Sequence, residues 1–133
     1  MEKTTPYAFG KSVAMNFEEA EKRVRELLAA EGFGIISEID VKSKFAEKLK
    51  KEFRNYRILG ACNPAAAYEV LNMDIAAGAL LPCNVVLYDS DGEDGTTVMV
   101  MDPLPVLGLT GIDAVVAHVQ GVAGKLRRVI ESL

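Results

Sequence analysis

The 133-residue sequence predicts one α+β domain with a mainly antiparallel, five-stranded sheet and helices packed on it, and three observations carry that expectation. Strand-like and helix-like stretches alternate as β-α-β-α-β-α-β-β-α, with no repeat, low-complexity tract or linker between them. The last two strand-like runs are separated by Asp91-Gly92 and Asp94-Gly95, turn pairs that close an antiparallel hairpin. The chain then finishes on its clearest apolar stripe, at helical spacing: Ile112, Val115, Val116, Val119, Val122, Ala123, Leu126, Val129, Ile130 and Leu133. A chain of this length fits a single domain over residues 1–133, since two halves would each have a marginal core.

Taken in order, Tyr7 to Met15 alternates as a first strand, bulky on one face and small on the other, the pattern of an outer strand. Asn16 caps a helix, with Glu19 at the reciprocal capping-box position, and Phe17, Ala20, Val24, Leu27 and Leu28 form its apolar stripe up to Gly32. Phe33 to Asp40 reads as a second strand. A short helix follows, with Val41, Phe45 and Leu49 four apart among lysines. Tyr56 to Cys62 is the third strand, with Tyr56, Ile58, Gly60 and Cys62 on one face and Arg57, Leu59 and Ala61 on the other. Gly60 inside it marks a bulge or a close backbone approach.

Asn63-Pro64 starts a helix with an Asn cap and a proline where no donor is needed, and Ala65, Ala66 and Ala67 give that helix small side chains for close packing. Asp74 caps a further short turn that Pro82 halts. Cys83 to Tyr88, apolar on both faces apart from Asn84, reads as a central strand. Thr96 to Met101 is its hairpin partner, and Asp102-Pro103 ends it before a loop held by Pro105 and Gly108. Thr110 and Asp113 approximate a capping box for the final helix. Valines are poor helix formers, so packing on the sheet must hold that helix together.

Composition narrows the function classes. Half of the residues are hydrophobic, 26% are charged and the net charge is −4, with basic residues scattered among acids. That distribution argues against a nucleic-acid partner. No apolar run reaches 18 residues and the N-terminus lacks a signal-peptide core, so a cytoplasmic location and no membrane partner are expected. Two cysteines form no disulfide framework, and with His118 as the one histidine no zinc ligand set is visible, so no metal is expected. No P-loop, GxGxxG or nucleophile elbow occurs. The β-rich edges and apolar balance of a small chain favour a homodimer.

Chemistry points to the stretch from Tyr56 to Tyr88, which carries Cys62-Asn63-Pro64 and Pro82-Cys83-Asn84. Cys62 ends a strand just before a capped helix, where the positive helix pole favours a thiolate. A buried cysteine is also a plain small hydrophobe, and Cys83 at the head of an apolar strand fits that description. If the two strands are antiparallel neighbours, both thiols sit at the same end of the sheet. A ligand site is therefore expected around Cys62, Asn63, Cys83 and Asn84, with Arg57 or Asp102 at its rim. Two functions follow from such a site: a small-molecule or redox-responsive binding module, or a thiol-dependent enzyme with Cys62 as nucleophile. The second lacks a visible base for the thiol.

The blocks GFGIISEID, YRILGACNP, ALLPCNVVLY and VMVMDP, in this order and spacing, resemble the domain-of-unknown-function 302 family of small prokaryotic proteins. The resemblance runs from about Tyr7 to the last helix and is most specific in GACNP and LPCNV. It implies a compact α+β domain with an antiparallel sheet of TATA-binding-protein-like topology, and no established activity. Cys62, Asn63, Pro64, Cys83, Asn84, Asp102 and Pro103 all match its motif positions.

Overall fold

A computed structural model describes residues 2–92 and 95–133. Its sheet is antiparallel throughout and has six strands, β1 (Glu2–Thr4), β2 (Ala8–Val13), β3 (Gly34–Asp40), β4 (Tyr56–Cys62), β5 (Cys83–Asp89) and β6 (Thr96–Met101), in the order β1-β2-β6-β5-β4-β3. The five expected strands are all present. The sixth, β1, pairs outside β2, so Tyr7–Met15 does not supply the outer strand that its two-faced pattern implied. Glu2, Lys3 and Thr4 are all exposed, and a strand without a buried face leaves no period in the sequence. Cys83–Asp89 is central, between β4 and β6.

The helices are α1 (Phe17–Ala30), α2 (Val41–Leu49), α3 (Pro64–Met73), α4 (Pro103–Gly108) and α5 (Asp113–Glu131), with a 3₁₀ turn at Ile75–Leu80. Local chemistry accounts for most of their starts. Asn16, Asp40 and Asn63 each accept a backbone N–H three residues on, and Asp74 accepts one from Ala76. The segment expected as a loop at Pro105 and Gly108 is instead α4. Asp102 Oδ1 accepts the Leu104 N–H, and both prolines fall in the first turn, where their missing N–H groups have no helical partner to lose. Thr110 also departs from expectation. Its hydroxyl donates to the Leu107 carbonyl and accepts from the Ile112 N–H, so it closes the α4–α5 connection and α5 starts without a side-chain cap.

One buried core lies between the sheet and α1, α3 and α5. Val24 and Leu28 of α1 and Val115, Val119 and Leu126 of α5 meet Phe9, Leu59, Val85, Leu87, Val98 and Val100 of the strands. Seven residues of α5 are buried, which is why a valine-rich segment holds helical form. The Val41, Phe45, Leu49 stripe of α2 does not enter this core. No residue of α2 is buried, Leu49 is exposed, and Phe45 stacks edge-on against Phe53.

At Gly60 the structure shows close approach, while the bulge lies one strand over, between Ile35 and Ser37 of β3. A Cβ at Gly60 would overlap Ser37 Oγ and sit 2.8 Å from Pro82 Cγ. Glycine therefore lets β3, β4 and the residue before Cys83 crowd together at one sheet end.

Candidate functional site

At that sheet end β4 hands over to α3 and the 3₁₀ turn hands over to β5. The β4–β5 ladder pairs Ala61 with Cys83, so Cys62 lies one residue beyond the partner of Cys83. Both are free cysteines, Cys62 half-buried and Cys83 buried. They form part of the wall of one half-open cavity of about 260 Å³. Phe33, Ala61 and Pro82 wall its sheet end, Asn63, Ala66, Ala67, Val70 and Leu71 its α3 side, and Leu107, Val119 and Val122 its far side.

The alanines of α3 explain why space exists here. Small side chains were expected to bring this helix into close packing. Ala66, Ala67 and Gly78 instead leave volume between α3, the 3₁₀ turn and the sheet that no neighbour fills. The walls are almost wholly apolar and hold no Asp, Glu, Lys, Arg or His. Asn63 is the polar exception, and its Oδ1 is engaged by the Ala66 N–H at 3.3 Å. Phe33, Val70, Leu107, Val119 and Val122 carried only core signals in the sequence; the run of small residues was the one sign of a cavity.

Three expected site residues lie elsewhere. Arg57 faces α1 and joins β4 to it, with Nη1 2.6 Å from Glu21 Oε1, Nη2 3.3 Å from Asp40 Oδ2 and its guanidinium 5.4 Å from the centre of the Phe17 ring. Burial works against its charge, but Glu21 and Asp40 outweigh burial and raise its pKa. Asp102 caps α4 and approaches Arg127 of α5 at 3.6 Å, while Arg127 lies over the Phe9 ring. Asn84 is exposed on the opposite sheet face, paired with Gly60. None of the three takes part in the cavity wall, because sheet alternation and helix capping direct their side chains to other partners.

His118 is half-buried on α5, and its Nε2 has no hydrogen-bond partner among the described residues. It lines a separate open groove with Asn63, Tyr68 and Lys125. Asp94, in the second of the two turn pairs expected to close the hairpin, lies outside the described residues. Among the described residues no three His, Cys, Asp or Glu side chains gather in a metal-ligating group. Among the described residues no helix is long and apolar enough to cross a membrane.

Electrostatics distinguish the thiols. Burial, reinforced by the nearby Cys62, pushes the Cys83 thiol up to about 11. Folding therefore favours the neutral thiol. The stabilisation is complete below the ordinary thiol value of 9.0 and is lost as pH rises through about 11. It amounts to roughly 2–3 kcal/mol for a shift of that size. Tyr88, also raised, mainly by burial, adds to the same alkaline loss. Urea midpoints measured from pH 8 to pH 11 should fall with pH, and Cys83→Ala should flatten that fall. Equal slopes for the two proteins would show that Cys83 ionises as freely folded as unfolded.

The fold has a counterpart of known structure. The crystal structure of uncharacterized conserved protein DUF302 from Bacillus stearothermophilus superposes with a TM-score of 0.85 at 27% sequence identity, covering 93% of this chain and 95% of that one. No curated protein matches the chain. The family model described as domain of unknown function DUF302 matches residues 9–133, from Phe9 of β2 through the whole of α5. This sequence, with its GACNP and LPCNV blocks meeting at one end of an antiparallel sheet, belongs to the DUF302 family.

Proposed function

We propose that the protein is a binding module for a compact, uncharged, apolar small molecule. The observation that carries this reading is the cavity of about 260 Å³ beneath α3, apolar in its walls and bordered by Cys62 and Cys83. Apolar cavities are dry and take apolar guests; one of about 150 Å³ accepts benzene. The present volume suits a fused two-ring hydrocarbon or heterocycle. A formal charge would find no partner in these walls and is disfavoured by desolvation. Cys62 gives the wall a soft, polarisable contact and a position where oxidation would alter ligand affinity, which is the redox-responsive form of this reading.

The alternative, a thiol-dependent enzyme with Cys62 as nucleophile, has less support. A nucleophilic thiol needs a base or cation to hold its thiolate, and the cavity wall contains none. The one histidine lines the neighbouring groove.

The test is thermal unfolding with indole and naphthalene as probes. A ligand confined to the folded state raises Tm in proportion to RT ln(1 + [L]/Kd), so saturating probe should raise it by several degrees. Ala67→Phe, which fills the cavity, should abolish the shift while leaving the protein folded. A Tm unmoved by either probe, or moved equally in Ala67→Phe, overturns the proposal.

A further inference from the structure

The sheet has a second face, away from the cavity. The strand registers align Ile39, Ile58, Val86 and Met99 in one row across β3, β4, β5 and β6, which continues through Gly10 of β2 to Lys3 of β1. None of the four belongs to the core beneath the helices. Ile39 is 45% exposed, Ile58 and Val86 are half-buried, and Met99 is buried. A second row runs beside it from Tyr56 through Tyr88, with the two rings stacked 5.4 Å apart, to Thr97 and Ser12. From β2 across to β3 neither row contains an Asp, Glu, Lys or Arg, and Lys3 of the outer strand β1 is the formal charge at the edge of the first row.

We propose that this face docks a second copy of the chain, sheet against sheet, about a two-fold axis. Shape supports that occupant. None of the cavities described above draws a wall from the first row, and a small molecule needs concavity. An apolar sheet face is instead matched by another such face, packed about 10 Å away. Charge supports it as well. Each chain carries −4, and a contact surface free of formal charge from β2 to β3, with Lys3 left at the edge, lets two copies meet without burying like charges. A charged partner would find only Lys3, at the edge, to pair with.

Area is sufficient. Five strands spaced roughly 4.8 Å apart and about six residues rising roughly 3.3 Å each span about 24 Å by 20 Å, a footprint near 500 Å². Two footprints bury about 1,000 Å², the lower bound for a specific interface. A single self-complementary patch is what an isologous two-fold contact requires.

The test is mass in solution. Light scattering during size exclusion at roughly 50 µM chain, above a micromolar Kd, should give twice the 14.4 kDa chain mass. Val86→Lys should halve that mass and keep the far-UV circular dichroism of the folded protein. Ile39→Lys places a charge in the same row at an exposed position where folding tolerates it, and should act likewise. A single-chain mass for the unaltered protein overturns the proposal, whatever else binds the face. A double mass that survives Ile39→Lys in folded protein overturns it too.

Discussion

Leu126→Asp is expected to abolish the native fold. Leu126 is fully buried on α5 and belongs to the core formed with the sheet. Its truncation removes roughly 1.5–3 kcal/mol of burial. The new carboxylate would also need a partner, and the nearest helix arginines are engaged: Arg127 lies by Asp102 and over Phe9, and Arg128 pairs with Glu31 at 3.0 Å. An unpaired buried charge costs several kcal/mol more. The sum approaches the whole stability of a typical domain, about 5–15 kcal/mol. Circular dichroism at 20 °C should show lost helix signal, whereas Leu126→Met should cost less than about 1.5 kcal/mol. A cooperative unfolding transition for Leu126→Asp with Tm unchanged would mean that α5 does not seal the core.

Gly10→Ala is expected to be the most damaging single methyl in the sheet. Gly10 pairs with Met99, and a Cβ there would overlap the Val98 carbonyl oxygen and lie 2.7 Å from Met99 Cα. Both obstacles are backbone, so no rotamer change relieves them. The β2–β6 ladder itself must shift, at a cost of about 2–4 kcal/mol. Gly121→Ala on the exposed side of α5 provides the contrast. Nothing lies within 4 Å of its added Cβ, and the change should stabilise the helix by about 0.5–1 kcal/mol. Urea midpoints moving in opposite directions for the two alanines would bear this out. A Gly10→Ala midpoint equal to the parent would refute the close approach.

The parts of the fold legible in the sequence were those with a strong period or a specific cap. The α5 stripe, the Asn16 and Asn63 caps and the central strand, expected over Cys83 to Tyr88 and found one residue longer, stand where the residues implied, because a buried face or a satisfied N–H writes itself into local pattern. β1 escaped because three exposed residues joined to an edge carry no apolar period. α4 escaped because Pro103 and Pro105 read as helix breakers, although the first turn tolerates both. The candidate site divides in the same way. Cys62, Asn63 and Cys83 come together because one strand ends where its antiparallel neighbour begins. Arg57, Asn84 and Asp102 scatter because alternation and capping send neighbours in sequence to different partners. The cavity itself depends on volume missing between α3 and the sheet, a sum over distant residues that no local window contains.

The pairing of β2 with β6 has a consequence for synthesis. Ala8 lies against Met101 and Val13 against Thr96, so a strand made among the first must wait for one made near the last. At roughly 5–20 residues per second, that delay on a ribosome is on the order of ten seconds. β3, β4 and β5 emerge in sequence and pair with their neighbours meanwhile. β2 and α1, carrying Phe9, Val24 and Leu28, remain without their β6 partner through that interval. Until β6 clears the exit tunnel, the apolar side chains of β2 and α1 lack the strand that covers them in the finished sheet, and that interval is when a chaperone would find them accessible.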